Sequence, residues 1–234
     1  MSIKDRLRIR IKEEGICMTI KYLICVCLNC IRECIYEILI DLCISRKLLR
    51  GNCKTIYKHL GANDVYHTKY SVMPIIFRFV PVARNDVLVD VGCGKGRVIN
   101  YWISRRLKNQ IVGLELDERV AKCTKDQLSR YKNITIIAGD AIANLPQEGT
   151  IFYFYNPFTE DKVKQFEETM SAKFNKKPIT IIYYNPKSVH VFENGNWRIR
   201  YINFEKDLGL KKWGRINKYH DLAIIKNIVT HIER

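Results

Sequence analysis

Residues 87–99 constrain the fold of this chain more than any other stretch. They read VLVDVGCGKGRVI: β-favouring apolar residues lead to Asp90, and glycines follow at positions 92, 94 and 96. Beyond the last glycine the apolar spacing becomes helical, so the stretch predicts a strand, a tight turn and a helix. Glycine permits a positive φ and a close approach of the backbone to a ligand. The first N–H groups of the following helix favour an anionic or polar ligand group.

Asp90 stands at the carboxyl end of the predicted strand, which is where open α/β sheets bind their ligands. The dinucleotide fingerprint G-x-G-x-x-G would need its third glycine one residue later, where this chain has Arg97. The pattern D-x-G-x-G-x-G instead resembles motif I of the class I S-adenosylmethionine (SAM) methyltransferases. In that family the glycine turn passes the methionine moiety, and the acidic residue holds its ammonium directly or through water. The resemblance therefore implies four cofactor-binding residues: Asp90, Gly92, Gly94 and Gly96.

The second predicted strand, residues 110–117, carries a carboxylate at Glu115, 23 residues after Gly92. One carboxylate at this position pairs well with the two adjacent hydroxyls of a ribose. Dinucleotide-binding proteins and class I methyltransferases share this feature, so it predicts a cofactor-binding residue without separating the two families. Asp117 is the nearby competitor, and we expect it to cap the next helix.

The third predicted strand, residues 134–138, leads into Gly139, Asp140 and Ala141. An acidic residue here resembles the class I position that receives the exocyclic amine of adenine, with the neighbouring backbone N–H contacting the ring. The resemblance implies that Asp140 and Ala141 bind the cofactor. The alternative is an aspartate that only forms a turn.

The fourth predicted strand, residues 150–155, runs into Asn156, Pro157 and Phe158. This triplet partly resembles the (D/N)-P-P-(Y/F) motif of methyltransferases that act on the amines of adenine, cytosine or glutamine, but it is one residue short. In those enzymes the asparagine accepts hydrogen bonds from the target amine and the aromatic ring stacks on it. The resemblance implies catalytic roles for Asn156 and Phe158, with Asn156 also at the cofactor. A structural turn at the strand end is the competing interpretation.

Further strands are predicted at residues 179–184, 197–204 and 219–225. With them the resemblance implies an α/β fold: a seven-stranded Rossmann-like sheet in the order 3-2-1-4-5-7-6, its last strand antiparallel, with helices on both faces. The methyltransferase domain would span residues 61–234 and follow an N-terminal helical extension of residues 1–60. Ahead of motif I, Tyr70 and Ser71 are candidates for a lid over the cofactor; the alternative is that they only pack or cap a helix.

The extension shows an apolar helical face. Its residues recur every three or four positions: Ile16, Ile20, Leu23, Ile24, Cys27, Ile31, Cys34, Ile35, Ile38 and Leu42. Its longest charge-free stretch is ten residues, 22–31, whereas a spanning helix needs about 20. We expect the helix to pack on the domain; the alternative is peripheral contact with an anionic membrane, because basic residues flank it.

The composition of the chain indicates what kind of partner it binds and whether its cysteines are oxidised. A net charge of +16 suggests acidic partners, or only a generally basic protein, since the basic residues are spread along the chain. The first residues lack the apolar core of a signal peptide, so the nine cysteines are expected to be free thiols in the cytoplasm. Cys25, Cys27, Cys30 and Cys34 lack the second ligand cluster typical of structural zinc, and no metal is predicted.

These features predict an enzyme that transfers a methyl group from SAM to an unidentified acceptor by in-line SN2 displacement. A small-molecule or glycan acceptor is favoured, then a protein amine. The alternatives are a SAM-binding protein without turnover and a nucleic-acid amino-methyltransferase; a nicotinamide-dependent oxidoreductase is weaker because of Arg97. No Ser/His/Asp or metal-ligand set is evident in the domain sequence, which fits catalysis by positioning. The sequence does not indicate an oligomeric state.

Overall fold

The computed structural model describes residues 3–51, 54–64, 66–210 and 220–229. The chain divides into two compact units, Met1–Leu39 and Ile40–Arg234. This division lies earlier than the predicted boundary at residue 60, because residues 40–60 group with the sheet rather than with the N-terminal helices.

The first unit consists of two helices, α1 (Ile3–Glu14) and α2 (Ile16–Ile40). Gly15, with φ +82°, joins them. The guanidinium of Arg10 lies 3.6 Å from the ring centroid of Tyr22 and 2.8 Å from the carboxylate of Glu14, so it links α1 to α2. The long helix confirms the predicted helical extension. None of the described helices is long and apolar enough to span a bilayer.

The second unit is built on a seven-stranded sheet in the order β3-β2-β1-β4-β5-β7-β6, as predicted. Its strands are β1 (Val87–Val91), β2 (Gln110–Glu115), β3 (Ile134–Ala138), β4 (Ile151–Phe154), β5 (Thr180–Tyr184), β6 (Trp197–Ile202) and β7 (Leu222–Asn227). Strands β1 to β5 pair in parallel, and β7 pairs antiparallel with both β5 and β6. The predicted final strand began at Tyr219, which lies outside the described residues.

Helices cover both faces of this sheet, in the manner of a Rossmann-like fold. They are α3 (Met73–Phe77), α4 (Arg97–Ser104), α5 (Glu118–Leu128) and α6 (Glu160–Lys173). Because side chains alternate along a strand, Leu88 joins one core layer and Val89 the other. Strands buried on both faces are expected to be apolar throughout, so the two buried carboxylates at strand ends, Asp90 and Glu115, stand out as functional candidates.

Residues 41–49 attach to the sheet unit through a buried polar network. Asp41 accepts hydrogen bonds from the backbone N–H of Leu49 at 2.9 Å and from the Tyr70 hydroxyl at 2.6 Å. Asn100 of α4 donates to Ser45 at 2.8 Å and to the Tyr70 hydroxyl at 3.3 Å. Burial, followed by the hydrogen bond to Asp41, raises the pKa of Tyr70. Tyr70 is therefore a core residue, and the expectation that it forms a lid is wrong.

Candidate active site

A cavity opens at the carboxyl ends of β1, β2, β3 and β4. Five of the residues singled out from the sequence line it: Gly92, Glu115, Asp140, Ala141 and Phe158. The others, Asp90, Gly94, Gly96 and Asn156, are not among the lining residues. A large part of the remaining wall comes from the segment before motif I: Lys54, Thr55, Leu60, Ala62, Asn63, Asp64 and Tyr66. We call residues 54–64 together with Tyr66 the strap.

The glycine turn meets the cavity at Gly92. This residue has φ +74°, and a Cβ placed on it would lie 2.8 Å from Cβ of Pro157. No larger side chain fits between the motif I turn and Pro157 without displacing one of them. Gly94 and Gly96 also have positive φ, but Gly96 begins α4 and packs against Thr124 of α5. Gly92 thus places backbone without a side chain in the cavity wall, and Gly96 allows the start of α4 to pack closely against α5.

Asp90 is buried on β1, and its Oδ2 atom has no hydrogen-bond partner among the described residues. Burial, and after it the charge of Glu115, raises the pKa of Asp90 well above its usual value. A buried carboxylate without a partner is unfavourable unless a cation or a donor compensates it. An ammonium group, directly or through a water molecule, would supply that compensation. The chemistry of this atom therefore fits the amino-acid end of SAM.

Glu115 is buried at the end of β2, where backbone donors fix its orientation. Its Oε2 accepts from the N–H of Gly94 at 2.8 Å and its Oε1 from the N–H of Asp117 at 3.0 Å. Burial raises the pKa of Glu115, and these backbone hydrogen bonds oppose the rise. Each carboxylate oxygen has a second lone pair, so Glu115 can still accept from the two hydroxyls of a ribose while the motif I turn holds it in place.

Asp140 and Ala141 lie beside Glu115 in the cavity wall. Oδ1 of Asp140 accepts from the N–H of Ile142 at 2.8 Å, and Oδ2 lies 3.3 Å from Nζ of Lys162 on α6. Asp140 therefore both forms the turn after β3 and lines the cavity. The apolar side chains of Leu116, Val120 and Phe158 complete this end of the cavity, which suits a flat aromatic ring such as adenine.

Asn156 follows β4 with φ +46°, in the left-handed region that asparagine tolerates better than most residues. Its Oδ1 accepts a hydrogen bond from the Tyr183 hydroxyl at 3.1 Å. The structure therefore joins Asn156 to β5 and does not bring it into the cavity wall together with Phe158. The side-chain role predicted for Asn156 in catalysis and cofactor binding stays a prediction.

The strap is held on motif IV by main-chain carbonyls. Nδ2 of Asn63 donates to the carbonyls of Asn156 at 2.9 Å and Phe158 at 2.8 Å, and its backbone N–H donates to Pro157 at 2.8 Å. Thr159 N–H in turn donates to the carbonyl of Gly61 at 2.8 Å. Sequence reasoning missed this wall because the strap has no apolar periodicity, and its partners are carbonyls almost a hundred residues away.

Asn63→Ala is expected to weaken SAM binding roughly three- to tenfold, because two side-chain hydrogen bonds that seat the strap are lost, each contributing about 1 kcal/mol. Isothermal titration of the purified variant checks this. The matched control is Asn194→Ala, an exposed asparagine outside the cavity wall. Equal affinities for wild type and both variants would show that the strap does not contribute to cofactor binding.

Two tyrosines also line the cavity, Tyr66 of the strap and Tyr155 after β4. The ring of Tyr155 lies 4.9 Å from that of Tyr184 and 5.7 Å from that of His220, centroid to centroid. Burial raises the pKa of Tyr155 to about 12, so its hydroxyl is neutral at physiological pH. The two tyrosines can hold an acceptor by stacking and by hydrogen bonding from a neutral phenol.

The raised pKa values give the ligand-free protein a defined pH dependence. An acid whose pKa is higher in the folded than in the unfolded state contributes stability that is present below the unfolded pKa and lost as the pH rises through the folded value. Asp90 and Glu115 both behave so. We expect the stability advantage of Asp90→Asn over wild type to shrink as the pH falls from neutral toward about 4, the ordinary pKa of aspartate. Urea unfolding across this range measures it; a constant difference would contradict the burial argument.

Within the described ranges, no group of three or more histidine, cysteine, aspartate or glutamate side chains is placed to hold a metal ion. No disulfide joins the eight cysteines in these ranges, most of which lie on or near α2. The cavity wall combines backbone and carboxylates with aromatic, aliphatic and lysine side chains.

Comparison with known proteins adds to this geometry. A family profile described as a methyltransferase domain matches residues 89–152, from β1 into β4. The chain is 26% identical over 97 residues to the ribosomal RNA small subunit methyltransferase A of Syntrophus aciditrophicus, covering 42% of this chain and 33% of that one. It is 30% identical over 67 residues to the rRNA adenine N-6-methyltransferase of Limosilactobacillus reuteri, covering 29% and 27%. The matches thus span about a third of the length of these relatives.

Solved structures share the fold. The StiE O-MT structure aligns with a TM-score of 0.52 and 12% identity, over 71% of this chain and 75% of that one. The mitomycin 7-O-methyltransferase MmcR aligns with a TM-score of 0.50 and 12% identity, over 68% and 55%. At this identity the likeness concerns the fold alone.

The family match covers the strands that carry Asp90, the glycine turn and Glu115. The sheet order agrees with the fold that motif I implies, and the unpartnered Asp90 oxygen and the bare backbone at Gly92 suit the methionine end of SAM. The matched methyltransferase domain, the sheet order and the chemistry of the site together support a class I, Rossmann-like, SAM-dependent methyltransferase, with SAM as the cofactor.

Proposed function

We propose that this protein transfers the methyl group of SAM to a small-molecule or glycan acceptor that enters between Tyr66 and Tyr155. The observation that carries the proposal is the single cavity that unites Gly92, Glu115 and Asp140 with these two tyrosines. The carboxylates offer the groups that suit adenosine, and the tyrosines remain for an acceptor.

The residues of the chain act by binding and orientation. When bound, SAM would supply an electrophilic methyl group on a sulfonium. A lone pair of the acceptor would form the bond to carbon as the carbon–sulfur bond breaks and S-adenosylhomocysteine leaves, and a hydroxyl or amine acceptor would release its proton to water. Glu115 and Asp140 would hold the adenosine, and Asp90 would face the positive amino-acid end. The strap would exclude water from above. Alignment of this kind supplies most of the rate enhancement in a displacement that needs no charged catalyst.

Motif IV supports an acceptor other than a nucleic-acid amine. The carbonyls of Asn156, Pro157 and Phe158 all accept hydrogen bonds from Asn63, and Oδ1 of Asn156 accepts from Tyr183. An amine recognised in the adenine-methyltransferase manner needs two of these acceptors. Each of them already accepts one hydrogen bond inside the protein, and Asn156 does not line the cavity, whereas Tyr66 and Tyr155 do. We therefore expect these tyrosines to orient the acceptor.

RNA is the second candidate acceptor, favoured by two observations. The relatives that match residues of this domain include enzymes named for ribosomal RNA methylation. The net charge of +16 also favours a polyanion. For an RNA base to be the acceptor, its amine would have to share the motif IV carbonyls with Asn63 of the strap or displace the strap from them.

The proposed function is tested with SAM carrying a labelled methyl group, added with the purified chain to separated lipid, glycan, protein, small-molecule and RNA fractions. Label in the small-molecule or glycan fraction is expected. Label confined to RNA would establish the second candidate. SAM binding by calorimetry without label transfer to any fraction would mean a SAM-binding protein without turnover and would contradict the proposal.

Asn156→Ala and Asn156→Gly separate the two interpretations of motif IV. Glycine adopts φ +46° without strain whereas alanine does not, and both remove the side-chain hydrogen bond to Tyr183. If Asn156 acts through its backbone conformation, the glycine variant should keep both turnover and SAM affinity. The alanine variant should then lose turnover. Turnover measured on the acceptor fraction decides this. Equal loss in both variants would assign a catalytic role to the side-chain amide.

A further inference from the structure

The long helix α2 carries an apolar face that the described chain leaves open to solvent. Six side chains on it, each more than half exposed, follow one another at intervals of three or four residues: Ile16, Ile20, Ile24, Leu28, Ile31 and Ile35. At 1.5 Å per residue they extend over roughly 28 Å. We call these six residues the apolar stripe. Monomeric proteins in water rarely expose a contiguous apolar surface of this kind without a binding role.

Basic residues border the stripe on one side. Lys21 and Arg32 are eleven positions apart, or about three helical turns, so they lie on one line along the helix. That line passes beside Leu28, at the edge of the stripe, and both basic side chains are exposed. The acidic residues of α2, Glu33 and Glu37, lie on the opposite side of the helix and are half-buried. The exposed edge of the stripe therefore carries positive charge only.

This arrangement selects among the possible occupants. A lipid surface accepts an apolar stripe among its acyl chains while lysine and arginine reach back to the phosphates. If two copies of the chain paired their stripes in antiparallel orientation, Lys21 and Arg32 of one α2 would lie beside the same residues of the other. The repulsion between these like charges is unfavourable. Insertion across the bilayer is not available to α2, since none of the described helices is long and apolar enough.

We propose that the apolar stripe of α2 docks this protein onto an anionic membrane surface, with Lys21 and Arg32 contacting lipid phosphates. Helix α1 carries five basic and three acidic residues, so it adds a net charge of +2 to the attraction for anionic lipid. The apolar contact of α2 supplies most of the affinity. The proposal does not depend on which acceptor the catalytic domain methylates.

Co-sedimentation of the full chain with vesicles tests the proposal. Wild type is expected to bind vesicles of equimolar phosphatidylcholine and phosphatidylglycerol, and to bind pure phosphatidylcholine vesicles at least about tenfold more weakly. The double variant Ile24→Glu, Ile31→Glu should lose at least about tenfold in binding to the anionic vesicles, because two buried contacts are replaced by charges.

The matched control is Met18→Glu, Asn29→Glu. It adds the same two negative charges to the same helix, but at exposed positions away from the stripe. Binding within about threefold of wild type is expected, since only the general attraction for anionic lipid falls. A second variant, Lys21→Glu, Arg32→Glu, should bind the two kinds of vesicle equally. SAM affinity and thermal unfolding of each variant show that it is folded.

Three results would overturn the proposal. The first is no binding of the wild type to anionic vesicles. The second is an equal loss of vesicle binding in the stripe variant and in its matched control, which would mean that net charge alone explains the loss. The third is a dimer in solution that the stripe variant alone dissociates, with no vesicle binding, which would assign the stripe to a second copy of the chain.

Discussion

Asp90→Asn is expected to weaken SAM binding by at least about tenfold and, at the same time, to raise the stability of the ligand-free protein at neutral pH. The affinity should fall because, in the proposed site, the buried carboxylate of Asp90 compensates the cationic end of SAM, and a hydrogen bond to a charged group contributes about 1.5–3 kcal/mol. The stability rises because Oδ2 of Asp90 is buried without a partner and its pKa is raised. The neutral amide removes the cost of that buried charge.

Isothermal titration and thermal unfolding measure the two effects on one preparation. Asp126→Asn, which makes the same chemical change at an exposed position on α5, is the control and should change neither. Unchanged SAM affinity in Asp90→Asn would remove the acidic residue of motif I from the site. Lower stability in the ligand-free variant would show that the carboxylate has a compensating partner when SAM is absent.

Glu115→Gln is expected to reduce both SAM affinity and stability. The two carboxylate oxygens accept from different backbone N–H groups, of Gly94 and Asp117. Glutamine offers only one oxygen, so its NH₂ group would face one of these donors, and a buried N–H would lose its acceptor at a cost of about 1–3 kcal/mol. The ribose would also lose half of its charge-assisted contacts. A loss of tenfold or more in affinity is expected.

Calorimetry with SAM and with S-adenosylhomocysteine checks the affinity, and urea unfolding checks the stability. Glu168→Gln, at an exposed position of α6, controls for the change of charge. Because the expected stability changes of Asp90→Asn and Glu115→Gln have opposite signs, the pair separates cofactor binding from general damage to the fold. A Glu115→Gln protein that binds SAM as tightly as wild type would show that Glu115 only supports the glycine turn.

The sequence alone was sufficient for the sheet and for part of the site. Alternating apolar strands, the glycine turn and helical spacing are local signals, so they predicted seven strands and their order once motif I was matched to its family. Glu115 and Asp140 were found because the carboxyl ends of neighbouring parallel strands meet at one edge, so their position along the chain also fixes their position in space.

The tertiary structure decided what lies above that edge. The strap has no periodic pattern, and its attachment depends on hydrogen bonds from Asn63 to carbonyls beyond β4. Tyr70 resembled a lid residue in sequence but became a core residue, because its hydroxyl meets the buried Asp41. Local sequence determines strands, turns and helix faces, whereas contacts between segments far apart in the chain depend on packing. Those contacts decide which side chains line the cavity and which, like Asn156, bond elsewhere.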